Sequence, residues 1–440
     1  MKKNLITLIS TWAVALGVVA GMAFAAEPLK LGPDGYGKTT LANGITAVVD
    51  QDKTTSLSAC RILIGGGVLA EAAQTNGLDV LMINMLLKGN KTMTAAQISE
   101  QLDFLGATVS TDCFRDYTAI SVTSLTENFD KVLAIISASL TSPTFPAEEL
   151  TKAKSELEGE IKSDMDNQTQ ASSDLFWKTA YGQAGYGLPV QGTTESMEKI
   201  TVDDLKKQYQ DYVGGKNMIV ALATDLPVDQ ISVLLEKQFG GIKAEAKTMS
   251  RPAMTLQTEK TGFLPFERNQ SFIFMGYVLE RLDPRQVACV GLLNQVMGGP
   301  VGSRLWDLRQ KEKLAYAVYT QWLASNNATV FRAAIGTDTA KVKLALASLD
   351  REWSKLLASG ITDLELADAK VNMKNSLIFG IDRKAGRANN MAAYEYLGYG
   401  YKFILDQIAM ADQMTLADVN DFVKAKLTDD RKYLSIVGKK

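Results

Sequence analysis

The chain has 440 residues, no histidine and a formal net charge of -2 at pH 7. The lack of histidine excludes Ser-His-Asp triads, Cys-His pairs and every histidine general base, because each needs an imidazole that titrates near neutral pH. The nearly balanced charge, without a long basic run, argues against nucleic acid as a partner. A chain of this length can form two domains with substantial cores.

Residues 1–25 have the pattern of an export signal. Lys2 and Lys3 precede an apolar run from Leu5 to Ala20, and the small-x-small site Ala23-Phe24-Ala25 follows. The alternative is a retained membrane anchor, since the run is nearly long enough to span a bilayer. We expect a cleaved signal peptide and a periplasmic or secreted mature chain.

The first half of the mature chain has its predicted elements in the order strand, helix, strands, helices, strand. Periodicity predicts a strand, an apolar helix, alternating strand segments, two amphipathic helices and a closing strand, in that order: Leu57 to Ile64, Leu78 to Leu87, Ala107 to Leu125, Phe129 to Leu140, Ala147 to Met165 and Met218 to Ala223. This order indicates an α+β domain, with an antiparallel sheet and helices packed on one face.

The second half repeats the plan at an offset of roughly 210 to 216 residues. The run 150–154 recurs at 366–370, the run 201–205 recurs at 415–419, and Asn84 has Asn294 as its counterpart. The predicted elements are Ser271 to Tyr277, Val287 to Met297, Ala315 to Ile335, Val342 to Leu357, Thr362 to Ile378 and Tyr433 to Val437. We therefore predict two homologous domains, 26–243 and 262–440, joined by a linker at 244–261.

The three cysteines carry no recognisable motif. Cys60, Cys113 and Cys289 lack C-x-x-C spacing, which excludes zinc ribbons and thioredoxin-like sites. Cys60 and Cys113 fall in strand-like segments and could form a disulfide in an oxidising compartment. The alternative is three buried free thiols.

Four segments stand out as motifs: 65–71 (GGGVLAE), 77–89 (GLDVLMINMLLKG), 186–192 (YGLPVQG) and 303–316 (SRLWDLRQKEKLAY). Together they resemble the inverzincin peptidases, the family of the pitrilysins and mitochondrial processing peptidases. In that family the second segment is a helix with the inverted zinc motif H-x-x-E-H. The resemblance implies two homologous α+β domains and peptide hydrolysis.

The metal-site positions depart from the family pattern. Val80 and Asn84 stand where the family has zinc-binding histidines, and Ile83 stands where it has the glutamate general base. Glu160 lies close to the family's third ligand, although one carboxylate makes no zinc site and an exposed helix residue is the alternative. We expect no metal in this chain.

Two residues of the second half match the family's substrate-contacting pair. Arg309 and Tyr316 have the spacing of the family's Arg/Tyr pair, which would bind the peptide and stabilise the oxyanion. Without the resemblance, Arg309 would be a cation near a helix end and Tyr316 a half-buried strand aromatic. The resemblance also places a substrate-binding sheet edge at Gly65, Gly66, Gly67 and Val68.

The sequence thus resembles the non-metal subunit of a two-chain zinc peptidase. The expected partners are a homologous subunit that carries H-x-x-E-H, with its zinc, and a peptide substrate. No nucleotide is expected, because the loop Gly187 to Thr193 has Thr193 where a phosphate loop needs lysine. The alternative is a catalytically inert scaffold or peptide-binding protein with the same fold.

Overall fold

The computed structural model describes residues 28–248, 255–298 and 301–439. The predicted signal peptide and residues 249–254 of the predicted linker lie outside the described residues. Within the described part of the chain, no helix combines the length and apolar character that a membrane crossing requires.

The first half forms a six-stranded sheet in the order β1-β2-β6-β3-β5-β4. Neighbouring strands are antiparallel except for β2 and β6, which are parallel. The strands are β1 (Tyr36–Thr40), β2 (Thr46–Gln51), β3 (Leu57–Gly65), β4 (Thr108–Cys113), β5 (Tyr117–Leu125) and β6 (Met218–Thr224). The helices are α1 (Leu78–Leu86), α2 (Ala95–Phe104), α3 (Thr126–Thr141), α4 (Ala147–Asp166), α5 (Gln168–Tyr181), α6 (Thr194–Lys199), α7 (Val202–Tyr212) and α8 (Val228–Phe239).

The second half forms a five-stranded sheet in the order β7-β11-β8-β10-β9. Here β7 and β11 are the parallel pair. The strands are β7 (Thr261–Pro265), β8 (Gln270–Glu280), β9 (Ala315–Ala324), β10 (Ala328–Asp338) and β11 (Lys432–Gly438). The helices are α9 (Pro284–Gly298), α10 (Trp306–Gln310), α11 (Val342–Ser359), α12 (Asp363–Gly380), α13 (Lys384–Tyr396), α14 (Phe403–Gln413) and α15 (Leu416–Lys426).

One of the repeated sequence runs marks the start of equivalent helices. Thr201 and Thr415 are the N-caps of α7 and α15, and each hydroxyl accepts a hydrogen bond from the backbone of an aspartate three residues later. The aspartate carboxylate in turn accepts the threonine N–H, which completes a capping box. The recurrence of Thr-x-x-Asp therefore has a local cause, because it satisfies the free N–H groups at a helix start.

Each sheet is covered on its second face by a helix from the other half. α13, from the second half, packs on β3 and β6, with Ala388 and Met391 against Leu63. α5, from the first half, packs on β8 and β11, where the Phe176 ring contacts Phe274 and Tyr433. The two halves therefore exchange one helix each, and neither sheet is covered on both faces by its own half alone.

Candidate functional site

Helix α1 contains the segment that resembles the zinc-binding helix of the inverzincins, and most of its side chains are aliphatic. Ile83 is completely buried and Val80 is 9% exposed, both within the hydrophobic core of the first half. Asn84 is half-buried, and its Oδ1 accepts a hydrogen bond of 2.5 Å from the Thr111 hydroxyl of β4. The two aliphatic positions offer no metal donor, and the amide oxygen of Asn84 is already bonded.

Glu160 does not complete a metal site. It lies on α4, which packs against α1, but its side chain is exposed. Among the described residues, no group of three or more cysteine, aspartate or glutamate side chains is arranged to hold an ion. One carboxylate, one bonded amide and two aliphatic side chains do not fit zinc, which requires three or four nitrogen, sulfur or oxygen ligands.

The predicted substrate edge at Gly65 to Val68 is wrong as a sheet edge. Gly65 ends β3, an interior strand that is paired with β5 on one side and β6 on the other. Gly66 and Gly67 have positive φ values and lead into a short 3-10 turn, and all four residues are buried. A Cβ at Gly67 would lie 2.3 Å from the Phe114 carbonyl oxygen, so these glycines allow two loops to approach closely. The edge beside α1 is β4.

The cysteines are free thiols. Cys60 lies on β3 and Cys113 on β4, and β5 runs between these strands. Cys60 pairs with Val122 of β5 and Cys113 pairs with Thr118, four residues away along that strand. The two strand spacings alone amount to about 9.6 Å, and this already exceeds the Cα separation that a disulfide can bridge. The alternative of a Cys60–Cys113 disulfide is therefore wrong.

Arg309 and Tyr316 lie on neighbouring elements of the second half. Arg309 is exposed on α10, with its guanidinium 5.1 Å from the centre of the Trp306 ring. α10 packs against β9, the edge strand that begins with Ala315 and Tyr316. Tyr316 is 85% exposed, so the structure does not place it as the half-buried aromatic of the alternative interpretation.

A β-bulge accounts for the exposure of Tyr316. Ala315 pairs with Thr337 and Ala317 pairs with Gly336, which leaves Tyr316 as an extra residue without a partner on β10. An extra residue turns its side chain out of the regular alternation, and bulges of this kind are common beside active sites. The local backbone thus presents the Tyr316 phenol to solvent at a sheet edge.

A carboxylate pair that sequence reasoning missed lies at the start of α1. Glu71 accepts hydrogen bonds from the backbone of Gly77 (2.9 Å) and Asp79 (2.7 Å), so its carboxylate caps the helix. Asp79 is buried and accepts a hydrogen bond of 2.7 Å from Gln208. Burial raises the pKa of Glu71, and the nearby Asp79 raises it further; burial raises the pKa of Asp79 as well.

Two family models match the chain in succession. Residues 46–194 match the model described as insulinase (peptidase family M16), and residues 199–373 match the one described as peptidase M16 inactive domain. Together they account for well over half of the chain. The chain belongs to the M16 peptidase family. The resemblance to inverzincins is confirmed, and so is the α+β fold class with two related halves.

Several relatives match along nearly the whole chain. A protein of Bacillus subtilis named uncharacterized zinc protease YmxG is 26% identical over 392 residues, which are 89% of this chain and 95% of that protein. A protein of Helicobacter pylori named non-peptidase homolog YmxG is 27% identical over 384 residues, or 86% of this chain and 87% of that protein. The M16 family thus includes a similar protein named as a non-peptidase, in agreement with the absent metal ligands here.

Solved structures have the same fold. The M16 inactive domain from Pseudomonas fluorescens superposes with a TM-score of 0.85 at 20% identity, over 92% of this chain and 98% of that one. A chain of Complex III2 from Candida albicans gives a TM-score of 0.77 at 16% identity, over 91% of this chain and 95% of that one. These likenesses establish the architecture.

Proposed function

We propose that the chain is the non-metal subunit of an exported two-chain zinc peptidase. In this proposal a homologous partner with H-x-x-E-H holds the zinc, which activates water for attack on a peptide bond. This chain contributes Arg309 and Tyr316 to the partner's site. The observation that carries the proposal is the contrast between the halves: α1 is aliphatic and buried, whereas Tyr316 stands exposed on a β-bulge beside the helix of Arg309.

The two side chains have distinct roles. The guanidinium of Arg309 would hold a carbonyl group of the bound peptide through its fixed fork of N–H donors. The phenol of Tyr316 would donate a hydrogen bond to the oxygen on which negative charge develops during attack. Both groups are exposed on the free chain, so neither must leave a buried partner before it binds substrate.

The peptide would bind as an added strand on an open sheet edge. β4 and β9 are edge strands, and each packs against the helix of its own half that corresponds to the zinc helix, α1 or α9. Backbone hydrogen bonds to an edge give affinity for any extended peptide, and side-chain pockets give selectivity. Pairing on β4 replaces the earlier expectation for Gly65 to Val68.

The proposed export rests on the N-terminal sequence. The lysines, apolar run and small-x-small site of residues 1–25 support a cleaved signal and a periplasmic or secreted mature chain. N-terminal sequencing of the native protein should begin at Ala26. A native protein that begins at Met1 contradicts export by cleavage.

Reconstitution tests the proposed activity. The chain is co-expressed with an exported homologue from the same host that carries H-x-x-E-H, and the two are tested separately and together on a peptide library. We expect a complex on size-exclusion chromatography and chelator-sensitive cleavage that neither chain shows alone. Elemental analysis should find zinc in the partner and none bound stoichiometrically by this chain.

Two results would reject the proposal. If each copy of this chain binds one zinc tightly and cleaves peptides without a partner, the non-metal assignment is contradicted. A stable complex whose activity equals that of the partner alone would instead support the inert scaffold.

A further inference from the structure

A cavity of about 580 Å³ lies between three helices and the edge strand of the second half. Gly291, Asn294 and Gln295 of α9 form one wall, and residues of α12 form the opposite wall. Trp322 of β9 and Gln407 of α14 also line the cavity, which is open to solvent. The cavity is large enough for a small organic group or several residues of a peptide.

The floor of the cavity contains hydrogen-bonding atoms without partners. Gln407 is completely buried, yet neither its Oε1 nor its Nε2 has a hydrogen-bond partner among the described residues. The Oδ1 of Asn294 is also buried and without a partner there. Because both polar atoms of Gln407 lack partners, this finding holds for either orientation of its amide group. Buried polar groups are normally hydrogen-bonded to protein or to ordered water, so these atoms are the ones in the cavity wall that a ligand could satisfy.

The position of the cavity matches the lost metal site of the first half. Asn294 is the repeat counterpart of Asn84, and the offset of 216 residues between Leu150 and Leu366 also relates Glu160 to Ser376, another residue of the cavity wall. α9 packs against α12 as α1 packs against α4. The second half thus keeps an open, polar cavity at the counterpart of the metal-site positions.

A threonine on the adjacent edge strand donates a hydrogen bond to the asparagine in each half, but to a different oxygen atom. In the first half, Thr111 donates to the side-chain oxygen of Asn84. In the second half, Thr320 donates instead to the backbone oxygen of Asn294, at 3.1 Å. The amide oxygen of Asn84 is therefore bonded within the protein, whereas that of Asn294 has no hydrogen-bond partner among the described residues.

The wall residues define the chemistry of the ligand. None of the residues that line the cavity carries a charge, so a charged ligand would lose its hydration without gaining an opposite charge. The polar atoms include both a donor and acceptors, while Trp322 and Phe379 offer apolar surfaces. Phe379 is 80% exposed, which places an aromatic ring where a bound molecule would cover it. An amide group carries a donor and an acceptor side by side and no charge.

We propose that this cavity binds an uncharged amide group of a peptide, with Gln407 and Asn294 as its hydrogen-bonding partners. The amide belongs either to the peptide backbone or to a glutamine or asparagine side chain. The site is separate from Arg309 and Tyr316, and its occupation does not depend on a metal-bearing partner.

Two capped amino acids distinguish the sources of the amide. Binding of N-acetyl-glutamine methylamide and N-acetyl-norleucine methylamide to the purified chain is measured by saturation-transfer NMR. Binding of the glutamine probe alone assigns the site to a side-chain amide, and binding of both assigns it to the backbone. If neither probe binds, or if glucose binds in their place, the proposal is overturned.

Variants locate the binding. Gln407→Leu and Asn294→Leu should each weaken binding at least ~10-fold, the loss expected when a buried hydrogen bond is removed. The matched control is Asn84→Leu, the counterpart in the first half, which should leave binding unchanged. Ser376→Tyr, at an exposed position of the wall, should block entry without altering the buried floor. It keeps the test decisive if a floor variant fails to fold. The proposal would be overturned if the probes still bind to Ser376→Tyr and also to every floor variant that folds.

Discussion

Arg387 lies with its Nη1 3.1 Å from Oδ2 of Asp50, and this ion pair joins the two halves of the chain. Arg387 belongs to α13 of the second half, whereas Asp50 lies on β2 of the first. The Nη2 of Arg387 also binds Asp52, at 2.5 Å. One guanidinium therefore faces two carboxylates, both with little exposed side-chain area, and compensates one of their two negative charges at the place where the exchanged helix meets the sheet.

Loss of Arg387 should destabilise the whole chain. Arg387→Ala leaves Asp50 buried without its counter-charge and beside Asp52, and we expect a loss of roughly 3–5 kcal/mol in the free energy of unfolding. Denaturant unfolding measures it. The exposed pair of Lys311 and Asp307 is the control, and Lys311→Ala should cost less than about 1 kcal/mol. Equal effects of the two variants would show that the Arg387 ion pairs add no more stability than an exposed ion pair.

The carboxylate pair of Glu71 and Asp79 should make stability fall as pH rises. The pKa of each group is raised in the folded chain, chiefly by burial. Between the ordinary carboxyl pKa near 4 and the raised values, the folded state binds more protons than the unfolded state, so stability decreases with pH. Each unit of raised pKa contributes about 1.4 kcal/mol to this loss.

Asp79→Asn isolates this effect from the other titrating groups. The change removes one buried acid and the repulsion on Glu71, so the variant should gain stability relative to the unchanged chain as pH rises from 5 to 9. The control is Asp203→Asn, because the Asp203 side chain is 95% exposed. The difference in free energy of unfolding between Asp203→Asn and the unchanged chain should stay constant over the same pH range. If the difference for Asp79→Asn is also independent of pH, Glu71 and Asp79 ionise normally in the folded chain.

Much of the fold could be predicted from the sequence because its signals are local. The buried strand β3 and the apolar helices α1 and α9 are found within a few residues of their predicted bounds. The exchange of α5 and α13 could not be predicted, since periodicity shows that a helix has an apolar face but not which sheet that face covers. Short strands such as β1 and the Gly386-containing α13 also lack a strong pattern.

The candidate site was predictable only where a residue type decides the chemistry. Val80 and Ile83 exclude metal ligation by their chemistry, wherever the helix lies. The edge at Gly65 was predicted wrongly because edge position depends on strand order, which places β3 in the interior. The cavity at Gln407 has no motif, and the available signal was Asn294, a polar residue in an apolar helix.

We expect that a metal site can be partly restored at the positions that correspond to the family's zinc ligands. The triple change Val80→His, Ile83→Glu and Asn84→His restores the family motif, and Glu160 lies on the helix packed against α1. We expect zinc binding by calorimetry, at a cost of several kcal/mol in stability because Ile83 is wholly buried. In this background Glu160→Gln should weaken zinc binding at least ~10-fold, whereas the exposed Glu156→Gln on the same helix should not. A folded triple variant without zinc affinity would contradict the assignment of Glu160 or of the α1 register.

Arg309 and Tyr316 can be tested separately in the reconstituted peptidase. Tyr316→Phe removes one hydrogen-bond donor from the proposed oxyanion site and should lower kcat by roughly 10- to 1000-fold, with little effect on KM. Arg309→Ala should also raise KM, because the guanidinium holds the peptide before the reaction begins. Gln310→Ala, an exposed neighbour on α10, is the matched control and should leave both constants unchanged. Size-exclusion chromatography must show that every variant still pairs with the partner, so that lost activity is not confused with lost assembly. If the double variant pairs normally and retains full kcat/KM, the two residues take no part in catalysis, and the chain acts as an inert scaffold.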